Sequence, residues 1–357
     1  MKTLIVSDFD GTINKKDLGE EFGRIIESYP EIKDRVTGGT LGMPEIYRSL
    51  LGSKEVSLKV VRDFYVEHSE IDGHFARFLE FVNERDIAHI IVSDGFDLLI
   101  EATLAAYGIK DRICIFANRI RDAGAGNGVV MDFPFRDDDC VFSGVCKKTI
   151  IRLFRPHFDR IVYIGNGYSD IDAVPEADIV FARSMLKSYC NDNRIPSLWY
   201  DDYGDIAGKL GRSFKGVIFD LDSTTLLQGV RETVDRLHRD GIVMAVSTNK
   251  LGRYSRVLLE HLGMDGYFRC VVGIQDGLRN KPYPDSIDRI VSELGLDRGE
   301  VVYVGDSLAD ARTAGNAGID FIGVSTGPTS FSELAATRPY VVLDSIEKLP
   351  VYIRPIG

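Results

Sequence analysis

Cysteine is scarce in this chain of 357 residues and carries little pattern. The five cysteines are an odd number at wide spacings, and Cys140 and Cys146 are the only near pair. Such usage is typical of reduced thiols and does not favour a disulfide framework. The spacing of the near pair matches no common zinc motif, and no histidine cluster accompanies it. We therefore expect ordinary thiols in a cytoplasmic protein.

Long apolar runs and an excess of positive charge are also missing. No apolar stretch approaches the roughly 20 residues that a membrane-spanning helix needs. The segment Met1–Val6 runs straight into a strand-like pattern without the features of a signal peptide. Acidic residues outnumber basic ones by 54 to 43, for a net charge of −11. A surface of this sign repels nucleic acid and anionic membrane, so we expect neither as a partner.

Apolar runs of strand length alternate with helical patterns along the whole chain. The runs are Leu4–Ser7, Ile87–Val92, Ile161–Ile164, Ile179–Phe181, Val217–Phe219, Ile242–Val246, Val301–Val304 and Ile319–Val324. Short apolar runs bounded by helices predict parallel sheets that are covered on both faces. The sequence therefore predicts an α/β fold of the doubly wound, Rossmann-like class, and its length favours two domains.

The second half of the chain repeats the first in outline. The segment Val6–Thr12 (VSDFDGT) returns as Ile218–Thr224 (IFDLDST), and Tyr163–Asp170 (YIGNGYSD) returns as Tyr303–Asp310 (YVGDSLAD). A repeated core explains this better than chance does. A glycine-rich stretch, Tyr203–Lys215, is the expected boundary, which predicts one domain at 1–210 and another at 213–357.

The spacing between motifs differs between the two halves. About 80 residues separate Asp10 from Ser93, and residues 16–72 of that interval have a mainly helical pattern. The matching interval from Asp222 to Thr248 has room for only one helix. We therefore expect a helical cap at about residues 16–72 in the first core and no cap in the second.

Two carboxylates and a glycine follow the first strand as Asp8-Phe9-Asp10-Gly11. Ligands of doubly wound sheets bind at the carboxyl ends of strands, and glycine lets a loop turn both carboxylates to one site. Carboxylates suit Mg²⁺. One can attack phosphorus, and the other can protonate the leaving alkoxide and then activate water. A single Asp-x-Asp motif often marks only a turn, but the second copy of the motif in this chain favours a catalytic role.

Each half also has a hydroxyl residue where the next strand ends and a lysine before a helix. The hydroxyls are Ser93 and Thr248, with Ser247 a rival of the latter, and the lysines are Lys147 and Lys281. A hydroxyl can hold a phosphoryl oxygen, and a cation offsets the repulsion between an attacking carboxylate and a phosphate dianion. Each signal is weak alone, because most lysines are solvated and many strands end in serine or threonine.

Acidic loops follow a later strand in each half and can complete a Mg²⁺ shell. The alternative is helix N-capping by Ser169 or Ser307, and the two roles can coexist. The candidate metal ligands are Asp8, Asp10, Asn166, Asp170, Asp220, Asp222, Asp306 and Asp310.

In this order the motifs resemble the haloacid dehalogenase superfamily, whose members are mostly phosphatases, and the resemblance covers both halves. It implies a nucleophile, an acid/base, a phosphoryl-binding hydroxyl and a lysine in each core. In that order they are Asp8, Asp10, Ser93 and Lys147 in the first core, and Asp220, Asp222, Thr248 and Lys281 in the second. The implied substrate contacts are Thr12, Asp17 and Gly95, and the implied cofactor is Mg²⁺.

The two halves resemble different branches of this superfamily. The first is similar to capped phosphoserine-phosphatase-like enzymes and, in Gly144–Ile151 and Phe181–Arg183, to methionine-salvage phosphatases. The second is similar to a phosphoglycolate-phosphatase-type core without its cap. One departure is Asn166, which stands where the family has a metal-binding aspartate. The lost charge lowers the expected Mg²⁺ affinity of the first core unless Asp170 compensates.

The expected function is Mg²⁺-dependent hydrolysis of a small phosphorylated metabolite through an aspartyl-phosphate. A second hypothesis makes one core catalytic and the other a structural or regulatory module. A third is phosphotransfer, as in a sugar phosphomutase, but such enzymes shield the aspartyl-phosphate from water and the second core has no cap to do so.

Overall fold

A computed structural model describes most of the chain. The described residues are 1–25, 42–52, 56–109, 113–124, 128–137, 140, 143–221, 229–274 and 277–354. They form two compact units: the first comprises described residues within 1–187 and 200–208, and the second comprises described residues within 188–199 and 209–356. No helix in the described part of the chain is both long and apolar enough to cross a bilayer.

The first unit is built on a six-stranded sheet. Its strands are β1 Thr3–Ser7, β2 Ala88–Phe96, β3 Cys114–Asp122, β4 Val129–Asp132, β5 Arg160–Gly165 and β6 Ile179–Ala182, in the order β4-β3-β2-β1-β5-β6. All neighbours pair in parallel except β4, which runs antiparallel to β3 at one edge. The central strands β1 and β5 are buried along their whole length, as strands with covered faces must be. The predicted α/β class is confirmed.

Helices surround this sheet. The α-helices are Leu18–Arg24, Met43–Leu51, Leu58–His68, Phe75–Glu84, Asp97–Ala106, Lys147–Phe154 and Tyr203–Leu210, with 3₁₀ segments at Arg155–His157 and Tyr168–Glu176. A further helix, Ser184–Asp192, runs into the second unit.

Three helices form a cap between β1 and β2: Leu18–Arg24, Met43–Leu51 and Leu58–His68. They share a hydrophobic core that also includes Phe96 of β2 and Ile120 of β3. The helix Met43–Leu51 buries Ile46, Tyr47 and Leu50, the spacing of one helical face. The predicted helical cap is therefore present, although residues 26–41 and 53–55 lie outside the described residues.

The second unit repeats this plan with an all-parallel sheet. Its strands are β7 Gly216–Asp220, β8 Val243–Ser247, β9 Phe268–Val272, β10 Val301–Gly305, β11 Asp320–Val324 and β12 Val341–Leu343, in the order β12-β11-β10-β7-β8-β9. Its α-helices are Val230–Arg239, Gly252–His261, Asp285–Leu294, Leu308–Ala317, Phe331–Ala336 and Leu349–Ile353, and its 3₁₀ segments are Asp265–Tyr267, Arg298–Glu300 and Ile346–Lys348. Between β7 and β8 the described residues contain one helix, Val230–Arg239.

The structure corrects the expectation about cysteine. Cys140 and Cys146 form a disulfide, with Cα atoms 5.5 Å apart, which is an ordinary separation for such a bond. The prediction of two thiols is wrong because the count and spacing of the cysteines do not reveal that the fold brings these two together. The Cys140 N–H donates to the Asp137 carbonyl over 2.9 Å, and the Cys146 N–H donates to the Phe135 carbonyl over 2.9 Å. Cys114, Cys190 and Cys270 are not in disulfides.

Candidate active site

The nucleophile loop of the first core leaves the carboxyl end of β1. Asp8 follows directly, and its N–H donates to the Ile164 carbonyl over 2.9 Å, so the loop is tied to the neighbouring strand β5. Gly11 has a φ of +66°, and a Cβ there would lie 2.2 Å from the Asn166 side-chain nitrogen. Only glycine fits this close approach of two loops.

Lys147 lies at the first turn of its helix and is fully buried between two carboxylates. Its Nζ is 2.9 Å from Asp8 Oδ1 and 2.5 Å from Asp170 Oδ1. Burial alone lowers the pKa of Lys147, but Asp170 and Asp8 outweigh it and raise that pKa. Burial raises the pKa of Asp8 to about 7, against the opposing pull of Lys147. The lysine is therefore a permanent cation beside the candidate nucleophile.

Asp170 binds both Lys147 and the loop that begins at Asn166. Its Oδ1 also accepts a hydrogen bond from the Tyr163 hydroxyl over 2.5 Å. Its Oδ2 accepts the backbone N–H groups of Asn166 and Gly167 over 2.7 and 2.8 Å. Both oxygens of Asp170 are thus engaged by protein donors, and its assignment as a metal ligand stays a prediction.

Ser93 and Gly95 bring β2 to the same site. The Ser93 hydroxyl is buried and accepts the Gly95 N–H over 3.0 Å. A Cβ on Gly95 would lie 3.2 Å from both Asp10 Oδ2 and Ser93 Oγ, so the two side chains lie close to one another. The structure therefore gathers Asp8, Asp10, Ser93, Gly95 and Lys147, which come from three separate parts of the sequence.

Asp94 is a residue that the sequence reasoning missed. It is buried, and its Oδ1 accepts the Val145 N–H over 2.7 Å, two residues before Lys147. Burial raises its pKa to about 6, and Lys147 opposes the rise. The sequence signal for Asp94 was its position directly after Ser93, because a carboxylate near the end of a strand can hold the loop that precedes Lys147.

Thr12 and Arg183 fix the far side of the nucleophile loop. The Thr12 hydroxyl donates to Asn166 Oδ1 over 3.0 Å. The Arg183 guanidinium donates to the Gly11 carbonyl over 2.6 and 3.1 Å. Thr12 therefore contacts the asparagine loop directly, and its role as a substrate contact stays a prediction.

Asp17 and Asp10 lie where the cap begins. Asp17 is the N-cap of the helix Leu18–Arg24, and its Oδ1 accepts the Glu20 N–H over 2.9 Å. The pKa of Asp10 lies well above its usual range because of burial and the neighbouring carboxylates Asp17 and Asp8. A protonated Asp10 is the form that a general acid needs.

The second core repeats the lysine arrangement. Lys281 Nζ is 2.6 Å from Asp220 Oδ1 and 2.8 Å from Asp310 Oδ1. The Tyr303 hydroxyl donates to Asp310 Oδ1 over 3.0 Å, and the Ser307 hydroxyl donates to Asp310 Oδ2 over 2.6 Å. Asp222, the expected acid/base, lies outside the described residues.

The two hydroxyls that compete for the phosphoryl role in this core have different surroundings. Thr248 is buried and accepts the Lys250 N–H over 3.0 Å, as Ser93 accepts the N–H two residues on. The Ser247 hydroxyl forms a hydrogen bond of 2.8 Å with the Ser286 hydroxyl. The geometry therefore favours Thr248 as the counterpart of Ser93.

The second core also has a set of carboxylates suited to a metal. Asp220, Asp306 and Asp310 are buried, and one oxygen of each lies within 4.8 Å of the others. Mg²⁺ binds to proteins through a small number of hard oxygen ligands such as these carboxylates. The first core has an amide, Asn166, at the position of Asp306, so it has one negative charge fewer.

Family models match both halves of the chain. Residues 5–174 match one model for haloacid dehalogenase-like hydrolases, and residues 198–324 match a second model with the same description. The chain belongs to the haloacid dehalogenase-like hydrolases. The match to two such models in tandem agrees with the repeated motifs and with the two similar sheets.

Individual haloacid dehalogenase-like proteins similar to the chain include the 2-hydroxy-3-keto-5-methylthiopentenyl-1-phosphate phosphatases of two bacilli. The protein of Bacillus mycoides (strain KBAB4) is 29% identical and that of Bacillus cereus (strain ATCC 14579) is 28% identical, each over 218 residues. Both alignments cover 59% of this chain and 96% of the relative. Among solved structures, one named as a predicted phosphoglycolate phosphatase from Haemophilus somnus 129PT is 27% identical, with a TM-score of 0.33, covering 35% of this chain and 55% of that one.

Proposed function

We propose that the chain is a Mg²⁺-dependent phosphatase that hydrolyses small phosphomonoesters through an aspartyl-phosphate. The observation that carries the proposal is the buried ion pair of 2.9 Å between Lys147 and Asp8, with Asp10 and Ser93 beside it. The names of the Bacillus relatives, which are phosphatases of a small phosphate ester, support it.

In the first step, a carboxylate oxygen of Asp8 forms a bond to phosphorus while the bond from phosphorus to the ester oxygen breaks. Asp10, held protonated by its surroundings, gives its proton to the leaving alkoxide. The Lys147 ammonium offsets the repulsion between the Asp8 carboxylate and the phosphate. The Ser93 hydroxyl lies where it can donate to a phosphoryl oxygen.

In the second step, water attacks the phosphorus of the aspartyl-phosphate, and the bond from phosphorus to the Asp8 oxygen breaks. Asp10, now ionised, accepts the proton of that water and returns to its starting form. Inorganic phosphate leaves, and Asp8 is again a carboxylate paired with Lys147.

The donor set of the second core fits Mg²⁺. Asp220 and Asp306 would hold the ion, with Asp310 as a further carboxylate of the cluster. In the first core Asp8 and the Asn166 amide oxygen would do so. Bound there, Mg²⁺ supplies positive charge that polarises a phosphoryl oxygen.

The test uses release of inorganic phosphate from 4-nitrophenyl phosphate with and without MgCl₂. We expect Mg²⁺-dependent release by the wild type, partial loss in Asp8→Asn and in Asp220→Asn, and complete loss in the double variant. Asparagine keeps the shape of aspartate but cannot attack phosphorus. Full activity in the double variant would overturn the proposal.

The same variants separate the hypotheses about the two cores. If each single variant removes a different substrate from a panel of phosphorylated metabolites, both cores are catalytic. If one of them leaves every activity unchanged, that core is a structural or regulatory module. Transfer of phosphate to a sugar in preference to water would favour phosphotransfer.

A further inference from the structure

A cleft of about 520 Å³ lies between two helices of the first unit. One wall comes from the helix Phe75–Glu84 and the residue before it, and the other from the helix Tyr203–Leu210 and the residue before it. Every residue that lines the cleft belongs to the first unit, and none of them is among those gathered around Lys147. The volume is within the range of sites that hold small molecules, roughly 300–1,000 Å³.

One wall of the cleft is helix with very small side chains. Gly204, Ala207 and Gly208 line it and have the spacing of one helical face. A Cβ on Gly208 would meet no described atom within 4 Å, so packing does not require glycine at this position. Glycine also weakens a helix relative to alanine. A ligand that lies against this face is a physical reason for keeping the position bare.

The opposite side of the cleft is aromatic. The rings of Phe78 and Phe81 are nearly parallel, with centroids 6.2 Å apart and 21° between their planes. The Tyr203 ring lies edge-on to Phe78, with centroids 4.8 Å apart. Aromatic rings bind flat apolar groups by stacking and edge contacts. An aromatic body therefore fits between these rings and the bare helix face.

The cleft also contains a cation that the protein leaves unmatched. Arg77 lines the cleft and has no hydrogen-bond or ion-pair partner among the described residues. The other two charged groups face each other, because His74 Nε2 lies 3.6 Å from Asp202 Oδ2. A guanidinium without a partner pairs well with a carboxylate or sulfonate. The charges therefore suit a ligand with one anionic group.

The wall that contains Asp202 is connected with the nucleophile loop. The residue before it, Asp201, accepts a hydrogen bond on its carbonyl from the Arg183 guanidinium over 3.1 Å. The same guanidinium donates to the Gly11 carbonyl over 2.6 and 3.1 Å. One side chain thus joins the edge of the cleft to the loop that follows Asp8.

The wall that contains His74 is connected with the same loop by a second route. The His74 N–H donates to Asp72 Oδ1 over 2.9 Å, and the Asp72 N–H donates to the Ile13 carbonyl over 2.9 Å. Ile13 lies two residues after Gly11. A ligand that bridges both walls therefore restrains the loop at two points.

We propose that this cleft is an effector site of the first unit, which binds a small aromatic monoanion and thereby restrains the nucleophile loop. The rings and the bare helix face hold the aromatic body of the ligand, and Arg77 pairs with its anionic group. The site is additional to the phosphatase function and does not rest on it, because binding and restraint can both be measured without catalysis.

The first test is binding of anilinonaphthalene sulfonate, an aromatic monoanion whose fluorescence rises in apolar surroundings. We expect one bound probe per chain with a Kd on the order of tens of micromolar, as the size of the probe indicates. Arg77→Gln should weaken this binding about tenfold, the effect of losing a charge-assisted hydrogen bond. It should leave binding of the uncharged N-phenylnaphthylamine unchanged. Equal effects of Arg77→Gln on the two probes would overturn the pairing with an anion.

A second substitution locates the bound probe. Gly208→Leu fills the cleft and favours the helix, so it should weaken probe binding at least about tenfold without lowering the thermal unfolding midpoint. Gly315→Leu is the matched control. Gly315 lies in the helix Leu308–Ala317 of the second unit, a Cβ there also meets nothing within 4 Å, and probe binding should stay unchanged. Unweakened binding in Gly208→Leu would overturn the site.

Hydrogen exchange tests the restraint of the loop. In that loop the Thr12 and Asn14 N–H groups donate to the Phe9 carbonyl. At ten times the Kd, the probe should slow exchange in peptides from residues 9–16 at least about threefold, with a ceiling of about elevenfold. Arg183→Gln should reduce this protection while the Kd of the probe stays the same. Unchanged exchange in the wild type would overturn the effector role. Absence of phosphatase activity would contradict the proposed function and leave these results as they are.

Discussion

Removing the buried cation of the first core is the sharpest test of how this site is held together. Lys147→Met keeps an unbranched chain of similar volume, so the lost charge dominates over any cavity. The lysine is fully buried, 2.9 Å from Asp8 and 2.5 Å from Asp170, and its loss leaves both buried carboxylates without their cation. Breaking one side of such a buried pair costs about 3–5 kcal/mol of unfolding free energy.

The cost should depend on pH in a definite direction. Burial already raises the pKa of Asp8 to about 7 with the lysine present, and removing the lysine raises it further. Protonation therefore relieves the variant at low pH, and the loss of stability should be smaller at pH 5 than at pH 8. The loss of stability is measured by urea unfolding at both pH values in metal-free buffer. Hydrogen exchange of peptides from residues 1–25 and 143–165 is measured under the same conditions.

Lys148→Met is the matched control, since Lys148 is the next residue of the same helix and is only half-buried. It should change the unfolding free energy by less than about 1 kcal/mol. A Lys147→Met variant within about 1 kcal/mol of the wild type at pH 8 would refute the reasoning, and so would an equal loss at both pH values.

Three further predictions follow from the same structure. Asn166→Asp should lower the Mg²⁺ concentration for half-maximal activity of the first core by roughly tenfold, and Asp306→Asn should raise that of the second core similarly; unchanged Mg²⁺ titrations would exclude both positions as ligands. Burial lowers the pKa of His89 to about 3 from 6.5, so its stabilising contribution is complete above pH 6.5 and is lost as the pH falls toward 3. His89→Gln should therefore reduce the slope of the unfolding free energy against pH, measured by urea unfolding between pH 6 and 4, by at most about 1.4 kcal/mol per pH unit, whereas a parallel pH profile would contradict it. Tyr303→Phe removes the hydroxyl that donates to Asp310 and should cost about 1.5–3 kcal/mol in urea unfolding of the second unit, and no loss would show that this hydrogen bond contributes nothing.

Eight of the strands were predictable from the sequence, whereas β3, β4, β9 and β12 were not. A strand covered on both faces must be apolar throughout, which is why Leu4–Ser7 and Val301–Val304 stand out. By contrast, β3 and β9 mix buried and exposed positions and carry polar side chains, so their apolar pattern in the sequence is weak.

The meeting of the motif residues was predictable for a related reason. Parallel strands end at the same edge of a sheet, so residues that follow β1, β2 and β5 must lie near one another. The contacts between those residues were not predictable in the same way. Tyr163 looks like an ordinary core residue of β5, and its hydroxyl is drawn to Asp170 only because the following loop turns back.

Asp170 and Asp310 each divide their two oxygens between different tasks. One oxygen faces the lysine and the tyrosine, and the other faces the loop that follows the strand. In the first core Asn166 begins that loop, and only its backbone N–H contacts Asp170, while its side chain accepts a hydrogen bond from Thr12. Its chemical identity can therefore drift during evolution while the lysine stays in place. After an ancestral duplication, such independence would let one copy retune its metal position without rebuilding the rest of its site.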